Sequence, residues 1–164
     1  MGFVLCNRSL VILVKKNRLA IEQVLKSADL LERPGKSQAN CCLHIDRSGD
    51  IRLMGNISSN LNGLRVFLHE VGHAVYESKL SAELPFSLRQ PAHIFLSEAV
   101  ALLFERLKEE EDWLKEMGIS GDTDRSAQKA YRDQRLVRLY WTMTVVKFER
   151  ELYRNPEGSL NEIW

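Results

Sequence analysis

The stretch Leu64-Arg65-Val66-Phe67-Leu68-His69-Glu70-Val71-Gly72-His73-Ala74-Val75-Tyr76 decides how this chain is read. Leu64, Phe67, Leu68, Val71 and Val75 repeat at helical spacing and form one apolar stripe, while His69, His73 and Tyr76 fall on the opposite side. Histidines four apart stand one above the other, about 6 Å along the helix axis. Two imidazoles so placed can grip one zinc ion, with the intervening glutamate beside it as a general base. The spacing predicts a helix over about 60–79. Its histidine face becomes a site only if a second element lies over it.

A catalytic zinc keeps three protein ligands and leaves its fourth position to water. Candidates for the third ligand are Glu77, Glu98, His93 and His44. Glu77 follows His69 by eight residues, about 12 Å along the axis, too far for both to share one ion with His73. Glu98 comes 25 residues after His73, room for a loop and a returning helix. It is also an acid among Ile94, Phe95, Val100, Leu102 and Leu103, and a carboxylate on an apolar face is costly unless paired or metal-bound. The expected ligand set is therefore His69, His73 and Glu98, holding one Zn2+ per chain, with Glu70 catalytic. His93, close before Glu98, reads equally as a group near substrate or as an ordinary helix-start residue.

Such a centre does hydrolytic chemistry. The metal acidifies a bound water and polarises a carbonyl, and Glu70 takes the water proton and passes it to the leaving amine. The developing oxyanion also needs a donor. Tyr76, Tyr131, Tyr140 and Tyr153 are the tyrosines present, and no pattern singles one out.

Outward from the motif, Cys41 to Asp46 and Ile51 to Met54 are β-prone runs around a Ser-Gly-Asp turn, a hairpin signal. Upstream, Leu19, Val24, Leu25 and Ala28 predict a helix from Arg18 to about Leu31, stopped by Arg33-Pro34-Gly35. Residues 1–16 read as a short apolar segment. Downstream, Pro91 suits the first turn of a helix over about 92–108, and Glu109 to Asp112 reads as a solvated face or turn. Gly118 to Asp124 breaks the chain before a helix of about 30 residues that ends at Asn155-Pro156. Ser159-Leu160-Asn161-Glu162 has the form of a capping box, a helix beginning just before Trp164.

The bulk properties narrow the classes. A length of 164 residues suits a single domain, and 23 basic against 22 acidic side chains give a net charge of +1, which favours no nucleic acid or anionic membrane partner. No stretch approaches the roughly 18–20 apolar residues of a membrane span. Cys6, Cys41 and Cys42 form no disulfide framework and lack metal-site spacing, and the N-terminus lacks the basic start of a signal peptide. A cytoplasmic location follows by default.

Phe67-Leu68-His69-Glu70-Val71-Gly72-His73-Ala74-Val75-Tyr76, then Leu84-Pro85-Phe86-Ser87-Leu88-Arg89, then Ser97-Glu98-Ala99 resembles the zinc-site region of the thimet oligopeptidase and oligoendopeptidase F family. It is similar also to the related angiotensin-converting enzyme family. Gly35-Lys36-Ser37 and Ile45 to Arg52 resemble the stretch before the zinc helix in oligoendopeptidases, and the likeness spans about 28–164. The resemblance implies a mainly α fold with a small β-hairpin, a zincin-like (gluzincin) helical core. It implies zinc on His69, His73 and Glu98, Glu70 as base, and short peptides as substrates, with the 41–54 hairpin lying along them as an edge strand.

Two departures stand out. Angiotensin-converting enzyme has an aspartate four residues after its zinc glutamate, where this chain has Leu102, so the partner supporting a ligand histidine is unassigned. The family's C-terminal His and Tyr-rich segment and its N-terminal helical roof have no counterpart here, so the chain reads as a truncated catalytic core. The expectation is thus a zinc metallopeptidase. The alternative is a zinc-binding, catalytically incompetent fragment with a folding or interaction role. An unroofed apolar channel is also expected to self-associate.

Overall fold

A computed structural model describes residues 21–118 and 125–164. The expectations for residues 1–16, for the start of the first helix and for the break at 119–124 lie outside them. The chain divides into two compact units, 1–120 and 121–164. It is mainly helical with one small antiparallel sheet.

In the first unit a short helix α1 (Glu22–Lys26) precedes a hairpin of β1 (Cys41–His44) and β2 (Ile51–Met54). The strands pair in the register Cys41↔Met54 to His44↔Ile51. The predicted helix to Leu31 stops early because the chain is claimed by the sheet. Asp29 makes a parallel bridge to Met54, its N–H donating to Leu53 O at 2.9 Å and its carbonyl accepting from Gly55 N–H at 2.8 Å. Ser27 Oγ meanwhile donates to Gln23 O and Val24 O, closing the last turn from the side chain.

The motif helix α2 (Leu61–Glu77) starts at Asn60, whose side chain accepts from Gly63 N–H at 2.9 Å. Its stripe packs on the hairpin and on α1. Phe67, Leu68, Val71 and Ala74 join Ile21, Val24, Ile51 and Leu53 in the core, with Leu64 and Val75 partly buried beside them. Full burial of each Phe, Leu, Ile or Val side chain in this core contributes about 1.5–3 kcal/mol. A 3₁₀ turn, Phe86–Leu88, leads to α3 (Ile94–Glu105), followed by a second 3₁₀ turn, Arg106–Glu109, and α4 (Glu111–Glu116).

Pro91 lies outside α3 rather than in its first turn. His93 caps the helix instead, its Nδ1 accepting from Phe95 N–H at 3.1 Å, which gives that histidine a local structural task. The acidic run after Glu109 is partly helical, as α4, instead of only a solvated turn.

The face of α2 opposite the core is covered by α3. A Cβ on Gly72 would stand 2.6 Å from Ala101 Cα, so the motif glycine is the notch that lets the two backbones approach. On α3 only Ser97 and Ala101 are buried, a small-residue face matched to that notch.

The second unit consists of α5 (Arg125–Arg154, 30 residues) and the short α6 (Leu160–Ile163). Trp164 stands edge-on to Trp141 and Phe148 at 5.7 and 5.3 Å between centroids. Ser159 occupies the cap position of α6 without a side-chain bond, so the capping box is not closed: aromatic packing by Trp164 accompanies this turn instead.

Candidate metal centre

The pairs His73 with Ser97, Gly72 with Ala101 and His69 with Glu105 run in opposite order along α2 and α3, so the helices are antiparallel in register. This register brings Glu98 over both histidines. His69 Nε2 and His73 Nε2 are 3.2 Å apart. The Glu98 oxygens lie 3.5 Å from each, Oε2 towards His69 and Oε1 towards His73. One ligand atom from each of the three residues lies within 4.8 Å of the others. Two imidazole nitrogens and a carboxylate oxygen converging on one point are the donor set that a catalytic zinc uses.

The far nitrogens are held as well. His73 Nδ1 lies 2.7 Å from Ser97 Oγ. An Nδ1–H donated to that hydroxyl leaves the Nε2 lone pair free for an ion. His69 Nδ1 is buried and stands 3.4 Å from Glu105 Oε2, a charge contact without hydrogen-bond alignment. Arg65 Nη1 reaches the same oxygen at 3.3 Å. Both orienting groups come from α3, so one helix supplies a ligand to the front of the pair and supports to the back.

Electrostatics separate the two rings. The Glu105 carboxylate beside His69 raises its pKa above the ordinary imidazole value, against the opposing effect of burial. Burial lowers that of His73. Burial also pushes Glu70 above the usual carboxylate range, with the charge of Glu98 adding to the effect. Glu70 is 8% exposed, and among the described residues it makes no hydrogen bond or ion pair. An unpaired buried carboxylate is costly in a purely structural role and is what a proton-accepting group needs.

The structure brings His69, His73 and Glu98 together, with Glu70 close enough to feel the charges of His69 and Glu98, and gives the other candidates other partners. Glu77 and His44 pair with each other at 3.1 Å, and His93 caps α3. The reason for preferring Glu98 needs correction. Ile94, Phe95, Leu102 and Leu103 are all exposed, and the Glu98 side chain is itself 44% exposed, so it is no stranded core acid. Convergence with the histidines singles it out.

Sequence reasoning missed Ser97 and Glu105. The position one turn after Glu98 is Leu102, which is exposed; Glu105, two turns on, where the spacing returns to the same helix face, is the residue that stands behind His69. No protein family, curated protein or solved structure matches this chain.

Proposed function

We propose that the chain is a zinc metallopeptidase of the oligopeptidase type, with a zincin-like core in which His69, His73 and Glu98 hold the ion and Glu70 is the base. The observation that carries this reading is the convergence of three ligand atoms within 4.8 Å beside an uncommitted, buried Glu70. When bound, zinc supplies an acidified water and a Lewis acid for a peptide carbonyl. Glu70, its proton affinity raised by burial, is the group that would accept a proton from the attacking water and pass it to the departing amine. Ser97 and Glu105 stand behind the imidazoles, whose Nε2 atoms both turn towards the Glu98 carboxylate and would hold the ion there.

Peptide backbone recognition by strand addition is supported by the hairpin. The outer edge of β2 is occupied by Asp29. On β1, the bond from Ile45 N–H to Asp50 O at 2.8 Å fixes the pairing phase, so the N–H and C=O groups of Cys42 and His44 point away from β2, to an edge that no strand among the described residues occupies. Cys42 also lines the pocket that contains His73 and Glu98. An extended peptide paired there would run beside the ligands.

The test is a quenched peptide assay on the zinc-loaded chain. Hydrolysis should be abolished by a chelator, and Glu70→Gln should cost on the order of 10²–10⁴-fold in rate while zinc remains bound. Undiminished turnover in the variant would remove Glu70 from the role of base. One observation favours a second reading, zinc binding without turnover: among the described residues no Tyr or Arg lines the pocket, and Gln90 is its neutral amide donor. Zinc at one per chain with no hydrolysis of any peptide would select it. In either case the exposed Phe86, Leu88, Ile94, Phe95 and Leu103 support self-association.

A further inference from the structure

The pocket beside the candidate metal site, about 360 Å³, has a second polar end that the proposed reaction does not use. His73 and Glu98 line one part of it, Pro91 and Ile94 supply apolar wall, and Glu77 supplies a further carboxylate. Glu77 lies one helical turn past His73, about 6 Å along the axis, and its side chain is 15% exposed.

Its partner is His44, whose Nδ1 is 3.1 Å from Glu77 Oε2. The other nitrogen of that ring, Nε2, accepts the backbone N–H of Gly49 at 3.1 Å. A ring that accepts at Nε2 carries its proton on Nδ1 and is neutral. His44 therefore donates to Glu77 and fixes it without cancelling its charge. Among the described residues no Lys or Arg lines the pocket, and none pairs with Glu77. With a divalent ion in place, Glu70 and Glu98 already balance its two charges, and Glu77 leaves the pocket with one negative charge in excess. A largely buried carboxylate with an open oxygen, oriented by a neutral donor and facing a ligand-sized pocket, is matched by a cationic ligand group.

We propose that Glu77 is a specificity-determining residue that recognises a protonated amine or guanidinium of the bound peptide. The proposal rests on the peptidase reading above for the identity of the ligand as a peptide. The cation comes from either a free N-terminus or a basic side chain, two sources of the same chemistry.

Binding and cleavage together separate the two levels of the claim. Zinc-loaded Glu70→Gln chain is titrated calorimetrically with short peptides that stay intact: one with a free N-terminus, its acetylated form, and acetylated forms carrying Lys or Leu within the sequence. The cationic peptides should bind on the order of tenfold more tightly than their neutral counterparts, and adding Glu77→Gln should erase the preference while neutral peptides bind as before. Glu77→Lys should reverse the preference in favour of acidic peptides, with zinc content confirming an intact site in each variant. Preference carried by the free N-terminus identifies the α-amine as the cation, and preference carried by Lys identifies the side chain. Equal affinity for charged and neutral peptides, or no binding of either, overturns the proposal. The same peptides given to the wild-type chain test the parent reading separately. A cationic preference in binding without hydrolysis keeps Glu77 in its role and removes the peptidase assignment, whereas hydrolysis indifferent to charge removes Glu77 alone.

Discussion

Two polar clusters in the first unit treat their charges in opposite ways. Under the hairpin, the Lys36 ammonium has a side chain only 3% exposed and is saturated. Its three N–H groups face four acceptors, Asp29 O, Asp29 Oδ1 and Leu31 O at 2.9 Å each and Gly55 O at 2.7 Å, so one donor is shared. Between α2 and α3, Glu70 is buried with no hydrogen bond among the described residues, and two imidazole nitrogens face each other with a carboxylate across from them. The first cluster ties the 29–36 loop to the end of β2, and every acceptor it needs is in the chain. The second gathers two imidazoles and a carboxylate around one point, the convergence on which the proposed zinc site rests. A buried polar group that folding alone explains has its partners; groups aimed jointly at one open point mark where chemistry is done.

Breaking the saturated cluster should damage the fold and little else. Lys36→Met leaves the bridge region without its clamp and should destabilise the chain by about 2–3 kcal/mol in urea denaturation, since bonds to a charged donor are the strong ones. Zinc affinity of the folded fraction should be unchanged. A large loss of zinc affinity at full folding would mean that the two clusters are not separable.

Disturbing the open cluster should do the reverse. Glu105→Gln removes the charge behind His69 and should weaken zinc binding roughly 10–100-fold, measured by competition with a chelating dye, at a small cost in stability. Ser97→Ala should have a smaller effect, about 1 kcal/mol or roughly fivefold in zinc affinity, because it deletes one neutral partner of His73. Equal zinc affinity in both variants and wild type would mean that ring orientation is set by packing alone.

The smallest effect sharpens the contrast through pH. Hydrogen bonds from Arg33 and Lys36 lower the Asp29 carboxyl to about 2. A carboxyl depressed in the folded chain stabilises fully above its unfolded value, about 3.9, and that contribution disappears as pH falls through about 2. Wild-type stability should therefore decline between about pH 4 and pH 2, and Asp29→Asn should flatten this part of the curve. An unchanged slope in the variant would show that the clamp does not hold its charge in solution.

The same contrast explains what could be read from sequence. The hairpin, the motif helix and the long α5 were legible because periodicity and turn chemistry agree with the tertiary structure there; Asn60, Gly49 and the stripe from Leu64 to Val75 all point one way. The end of α1 was not, because Asp29 leaves a helix-compatible run to pair with Met54, a contact that local pattern does not encode. His69, Glu70 and His73 share one helical face and could be named from spacing. Glu98 does converge with the histidines, but burial among apolar neighbours is not what marks it, since those neighbours are exposed. Ser97 and Glu105 depend on the antiparallel register of α2 and α3, set by Gly72 against Ala101, and no spacing within either helix reveals it. Lys36 carries no signal of its own in the sequence, because its four acceptors come from two stretches of chain, 29–31 and Gly55, that only the fold brings together.

The most direct test of the account is the metal content of the purified chain. After loading and exhaustive dialysis, elemental analysis should find one zinc per wild-type chain and none in the His69→Ala, His73→Ala double variant. A wild-type chain that retains no zinc, or a variant that retains as much as wild type, would contradict it.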